Sequence, residues 1–190
     1  MYPVKTKKDI QVLAPMYRCP AGINELNEEI QELVNPGREE DTLIHNAQKF
    51  RVDDKVIQLV NRSEKNIMNG DIGIITNLIF RDGEYKGVTV LFDTLEIDYT
   101  LEELDDLKLA YAISIHKSQG SEFELVIMPV SSSYKRMLYK KLIYTAVTRA
   151  KKRLIIIGEP NAFMYGIRNN NEITRKTSLL EKLLNNLNKK

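Results

Sequence analysis

The chain has 190 residues, of which 43% are hydrophobic and 28% charged, with a net charge of +2. These values are ordinary for a globular protein, and no apolar run approaches the roughly 20 residues needed to span a membrane. One cysteine, Cys19, excludes an intrachain disulfide, and two histidines far apart in sequence argue against a structural zinc site, so no metal ligand set is expected.

"IQVLAP" (10–15) reads as a buried strand stopped by Pro15, and "PAGINELNEEIQELV" (20–34) as a helix ended by "NPG", with Ile23, Leu26, Ile30, Leu33 and Val34 at helical spacing. From about Phe50 the texture changes. "KVIQLV" (55–60), "DIGIITNLIF" (71–80) and "GVTVLF" (87–92) are short strands, with "NGD" and "RDGEYKG" as turns between them. This spacing predicts a small antiparallel barrel. The α/β texture returns with strands at "KLAYAISI" (108–115) and "ELVIMPV" (124–130), a helix over "YKRMLYKKLIYTAVTRAKK" (134–152), and a strand at "RLIIIGE" (153–159). "NAFMYGIRN" (161–169) and "TSLLEKLLNNLNKK" (177–190) read as closing helices. The fold class expected is α/β, with a parallel sheet in a discontinuous domain (1–49 and 106–190) and a barrel (50–105) inserted in it.

Charge divides unevenly along this plan. Residues 1–49 carry 6 Lys/Arg against 8 Asp/Glu, residues 50–105 carry 6 against 12, and residues 106–190 carry 16 against 6. The net values are −2, −6 and +10. A basic C-terminal half suits a polyanion, nucleic acid first, and equally a solvated basic surface. The N-terminus lacks the apolar core of a secretory signal. With the lone cysteine, this points to a reducing cytoplasm and to no membrane partner.

Three polar stretches carry the candidate chemistry. In "SIHKSQGSEF" (114–123) four donors, His116, Lys117, Ser118 and Gln119, follow a buried strand, where open α/β sheets bind ligands; the cluster suits a phosphate or is an ordinary exposed loop. "LIYTAVTRAKKRLIIIGE" (142–159) places Arg149 near the end of a helix beside a sheet edge, where a planar fork of donors reaches a phosphate; the helix dipole alone also accounts for basic residues there. "APMYRCPAGINELN" (14–27) sets Tyr17 beside Arg18 in another strand-to-helix loop, a pairing that stacks and grips single-stranded nucleic acid or packs locally.

In this order, the three stretches resemble superfamily 1 helicases of the RecD type, which include the exodeoxyribonuclease V alpha subunit and stand-alone relatives. "SIHKSQGSEFELVIMPV" looks like helicase motif V and "LIYTAVTRAKKRLIIIGE" like motif VI. "QVLAPMYRCPAGINELNEEIQ" resembles the preceding motif, called IV or IVa, and "KVIQLVNRSEKNIMNGDIGII" the start of the family's inserted Src-homology-3-like barrel. The match covers about residues 9–160. The resemblance implies a RecA-like, P-loop NTPase-type sheet. It implies single-stranded DNA contacts by Ser114, His116, Lys117 and Ser118, with Tyr17 and Arg18 near the DNA or the cleft. Gly120 would allow close approach, Glu122 would face the nucleotide ribose, and Arg149 would be the arginine finger that reaches the γ-phosphate. It also implies 5′→3′ translocation. Motif V usually opens on Thr; Ser114 keeps the hydroxyl.

The departure from the family is the phosphate loop, G-x-x-x-x-G-K-S/T. None of the nine glycines is followed by Lys, and no strand ends in an Asp-Glu pair. The chain therefore reads as the C-terminal motor portion of a longer ATP-dependent helicase in DNA recombination and repair, inactive by itself. ATP and Mg2+ would be bound only in the full-length protein. The expected partners are single-stranded DNA, the N-terminal RecA-like domain and nuclease-complex subunits. The other readings are a non-catalytic nucleic-acid-binding module, or a protein-interaction module built on the acidic barrel, whose tip has Arg62, Lys65 and Asn66 within reach of DNA.

Overall fold

The computed structural model describes residues 9–170. The first apolar run is strand β1 (Ile10–Ala14), and helix α1 (Ile23–Val34) follows it. A short hairpin comes next, β2 (Leu43–His45) with β3 (Gln48–Phe50). Five antiparallel strands build the barrel: β4 (Lys55–Gln58), β5 (Ile72–Arg81), β6 (Glu84–Phe92), β7 (Leu95–Thr100) and β8 (Leu107–Leu109), in the order β7-β6-β5-β4-β8. The remaining elements are β9 (Ala112–Ser114), β10 (Phe123–Val130), α2 (Lys140–Val147), β11 (Ala150–Gly158) and α3 (Pro160–Arg168). Strands β11, β10, β1 and β9 form a fully parallel sheet in that order.

Two sequence expectations change. "KLAYAISI" is not one strand: it breaks at Ala110–Tyr111, so β8 belongs to the antiparallel sheet and β9 to the parallel one. An apolar run cannot report such a change of partner, because both halves are buried. The helix expected over 134–152 is α-helical only at Lys140–Val147. Upstream of it, Tyr134 and Leu138 are fully buried, and the Tyr134 hydroxyl donates to the Ala21 carbonyl, so core packing sets the backbone path. Downstream, Ala150 already pairs with Phe123, and sheet pairing overrides helix propensity. The helix expected at 177–190 lies outside the described residues.

The parallel sheet is covered on both faces. Val12, Ala14 and Ala112 pack against Ile23, Leu26 and Ile30 of α1. On the opposite face Leu13, Ile113, Val126 and Met128 pack with Leu142, Ile143 and Ala146 of α2 and Ala162 of α3. Strand β9 lies at a sheet edge, which would leave backbone groups unpaired. Asn27 of α1 seals it: its side-chain amide donates to the Ala112 carbonyl and accepts from the Ala112 N–H, both at 2.9 Å. At the end of β11, Gly158 has φ +130, and a Cβ there would lie 2.0 Å from the Val130 carbonyl oxygen, so only glycine fits.

A buried polar seam joins barrel to parallel layer. Lys55 of β4 donates to the Ile10 carbonyl and the Gln11 side chain, at 3.0 and 2.8 Å. Gln11 donates in turn to the carbonyls of Ala110 and Tyr111. Asp54 accepts from the Arg51 N–H, Gln31, Asn35 and the Tyr111 hydroxyl, at 2.6 to 2.9 Å. Burial pushes its carboxyl up from the ordinary range, and the hydrogen bonds, Asn35 first, oppose that rise. Asp54→Ala strands several buried donors and is expected to cost about 3 kcal/mol or more in urea unfolding. On the rim of the same seam Glu32 accepts from Arg51 and Lys49, which hold its carboxyl below its ordinary 4.5, Arg51 most strongly. A carboxylate lowered by folding stabilises above its unfolded pKa and loses that contribution as pH falls through the folded value. Glu32→Gln is therefore expected to melt below the parent at pH 7, and the difference should shrink as pH drops below about 4.

Candidate nucleotide and nucleic-acid site

The polar stretch is a crossover. Ser114 ends β9 at the carboxyl edge of the parallel sheet, whereas Phe123 opens β10 at the amino edge. Residues 115–122 cover that distance in consecutive tight turns: the N–H groups of Lys117 and Ser118 donate to the Ser114 carbonyl, Gln119 to His116, and Ser121 to Ser118. Ile115, fully buried, pins the first part into the core. The Ser118 hydroxyl donates to the Ile115 carbonyl at 2.7 Å and is itself buried. Ser114 is buried too, and its hydroxyl accepts from the Lys117 N–H at 3.2 Å. Gly120 takes φ +89, a left-handed turn that costs other residues strain, and a Cβ there would meet open space.

This geometry corrects the picture of four donors facing outward together. Ser118 points inward and shapes the loop, so it cannot reach a DNA phosphate in this conformation. Ser114 is shielded by the same turn. The other two side chains diverge: exposed His116 faces a cavity lined by Lys135, Arg136, Lys141 and Tyr165, and half-buried Lys117 faces another, of about 540 Å3, between α1, β8 and β9.

Arg149 stands in the turn between α2 and β11, just after the helix ends. Its guanidinium donates to the carbonyls of Ser121 and Thr145 and to the Thr148 hydroxyl, at 3.1, 3.3 and 3.3 Å. Its own carbonyl accepts from the Phe123 N–H. The side chain is half-buried at the surface and lies directly against the last residues of the crossover. Glu122 is exposed, 3.6 Å from Lys151. Gly120, Glu122 and Arg149 thus lie at the last part of the crossover, beside the amino edge of the parallel sheet.

Tyr17 and Arg18 are exposed on the loop between β1 and α1, which packs beside the start of the crossover because Ala14 and Ser114 are register partners. Tyr17 and Lys117 line the same cavity. Burial raises the Cys19 thiol, the largest influence on it, so it stays protonated. At the barrel, Arg62 is committed to Asp106 and Glu103, at 2.5 and 2.8 Å, and Lys65 to Glu103 at 2.9 Å, so neither is a free cation at a barrel tip. Among the described residues no cluster of three acidic, His or Cys side chains could hold a metal ion, and no helix is long and apolar enough to cross a membrane.

The profile of the ATP-dependent RecD-like DNA helicase SH3 domain matches residues 26–92, and that of the UvrD-like helicase C-terminal domain matches residues 109–157. The chain belongs to the RecD-type helicase family. An ATP-dependent RecD2 DNA helicase of Deinococcus radiodurans is 35% identical over 174 residues, covering 92% of this chain and 23% of that protein. The RecBCD enzyme subunit RecD of Haemophilus influenzae is 30% identical over 180 residues, covering 94% of this chain and 26% of that protein. The chain spans about a quarter of the length of these two relatives. Among solved structures, a Pif1 helicase described in DNA unwinding at forked DNA superposes with a TM-score of 0.58 at 23% identity, over 96% of this chain and 45% of that one. Candida albicans Pif1 does so at 0.58 and 16% identity, over 99% and 52%. These likenesses establish the fold, a RecA-like parallel sheet with an inserted SH3-like barrel.

Within this RecD-type region the second profile takes in β9, the crossover, α2, Arg149 and most of β11, which is every candidate residue except Tyr17 and Arg18. Sequence reading missed Lys108, which lines the Lys117 cavity from the barrel side. Its only signal was a lysine flanked by two buried leucines. Ser118→Ala is expected to lower stability by about 1 kcal/mol in chemical denaturation through loss of the buried bond to Ile115, with no direct loss of a nucleic-acid contact.

Proposed function

We propose that this chain is the second motor domain of an ATP-dependent DNA helicase, with residues 1–49 and 106–190 as the motor and about 50–105 as the inserted barrel, β8 completing the barrel sheet. The observation that carries this reading is the path of residues 115–122, which begins beside Tyr17 and ends as an acceptor for Arg149. One short segment therefore borders two separate ligand sites. His116 and Lys117, with Tyr17 and Arg18, contact single-stranded DNA at the carboxyl edge. Ser114 and Ser118 hold the loop in shape behind them. Gly120, Glu122 and Arg149 face the nucleotide at the amino edge, Glu122 toward the ribose and Arg149 toward the γ-phosphate. The full name of the Deinococcus radiodurans relative, an ATP-dependent DNA helicase, supports the same assignment, and the family resemblance supports 5′→3′ movement and nuclease-complex partners.

Arg149 donates to protein oxygens in this conformation, so it serves as a finger only after exchanging them for phosphate oxygens. Closure of the upstream RecA-like domain over ATP supplies that exchange. Among the described residues no acidic cluster fits Mg2+, and the sequence has no Gly-Lys-Ser/Thr of a phosphate loop. On this reading the phosphate loop and the metal ligands are supplied by the upstream domain, and ATP is bound between the two halves.

With the upstream region restored, Arg149→Ala is expected to lower DNA-stimulated ATP turnover by ~10³-fold or more, while single-strand affinity without nucleotide stays near the parent value. His116→Ala should weaken DNA binding instead. Robust ATP hydrolysis by the purified 190-residue chain, or an Arg149→Ala protein with full ATPase, would overturn the assignment.

A further inference from the structure

Basic side chains of the barrel are mostly neutralised by their neighbours. Arg51 donates to Glu32, Lys55 is buried on Gln11 and Ile10, Arg62 and Lys65 bind Glu103 and Asp106, and Lys86 binds Glu84. Lys108 differs. It is exposed in the middle of β8, and its side chain has no hydrogen-bond or ion-pair partner among the described residues. It also lines the cavity that the parallel layer shares with the barrel, where Lys117 and Tyr17 enter from the other side.

Lys117 is likewise without a carboxylate partner among the described residues. Its pKa is lowered, first by burial and then by the charge of Lys108, so the two ammonium groups feel each other. Like charges brought together from the barrel and the crossover, with no carboxylate bonded to either, leave room for an anion between them. The remaining wall limits which anion fits. Glu28, Glu29 and Glu32 of α1 line the same cavity, Glu32 paired there with Lys49, so a phosphodiester chain cannot fill it. One phosphate at the lysine pair is tolerated, with uncharged base or sugar groups beyond it, where Asn24 offers both donor and acceptor.

We propose that Lys108 of the barrel and Lys117 of the crossover bracket a single backbone phosphate of single-stranded DNA, with Tyr17 stacking on a neighbouring base. This rests on the DNA-facing role proposed above and adds the barrel to the grip. The strand then bridges the two sheets at one point, although the barrel as a whole is acidic.

The test is titration of the chain against a labelled oligo-dT by fluorescence anisotropy over a range of salt. Lys108→Gln should weaken binding about 5-fold and flatten the slope of log affinity against log salt by about 0.7, the value for one single-strand phosphate. Lys108→Arg should restore both, and Lys86→Gln, whose lysine is paired with Glu84, should change neither. Inorganic phosphate should compete only weakly, since one phosphate lacks the stacked base; equal protection by phosphate and oligo-dT would reduce the site to a simple anion site and refute the strand contact. Unchanged affinity and slope in Lys108→Gln, alongside weakened binding in Lys117→Gln and His116→Ala, sinks this proposal and leaves the motor assignment standing. Unchanged binding in all three removes both.

Discussion

A two-residue junction, Ala110–Tyr111, carries the chain from the barrel strand β8 to the parallel strand β9, and it is held from both sides. The Ala110 N–H donates to the Lys55 carbonyl in the barrel. The carbonyls of Ala110 and Tyr111 accept from Gln11, and that of Tyr111 also from the Val12 N–H, all in the parallel layer. The Tyr111 hydroxyl reaches Asp54. Because side chains alternate along a strand, a slip of one residue here would turn Ile113 and Ile115 out of the α2–α3 core and reverse the start of the crossover. The seam of Lys55, Gln11 and Asp54 thus fixes the register on which the candidate site depends.

From that fixed start the crossover behaves as a tie between two edges of the sheet. It is anchored by the Ile115 side chain at one end, by the Ser118 hydroxyl near its middle, and by the Ser121 carbonyl on Arg149 at the other. On the proposed reading, a nucleotide that recruits Arg149 removes the last anchor, and a strand that engages Lys117 loads the first part. Only eight residues separate β9 from β10, so there is little slack to absorb either event. Gly120 supplies the one left-handed turn that such a compact path requires.

Charge counted by region proved a poor guide to local potential. The barrel's cations are largely engaged by its own acids and by those beside it: Glu103 and Asp106 hold Arg62, Glu103 holds Lys65, Glu84 holds Lys86, and Glu32 of α1 holds Arg51. What remains at the junction with the parallel layer is a pair of lysines, Lys108 from the barrel and Lys117 from the crossover. In the motor part the same effect runs the other way, since Lys151 and Lys152 in the basic stretch after Arg149 are paired with Glu122 and Glu124.

The sequence by itself determined most of the element types and the parallel layer interrupted by short antiparallel strands, because hydrophobic period and turn residues are local properties of the chain. Tertiary structure alone decided that "KLAYAISI" serves two sheets, that Ser118 turns inward while His116 and Lys117 part company, and that Arg149 rests on the Ser121 carbonyl. It alone brought Lys108 to Lys117. Those outcomes depend on which buried surface each segment meets and on hydrogen bonds between residues far apart in the chain, and no window of sequence contains both partners.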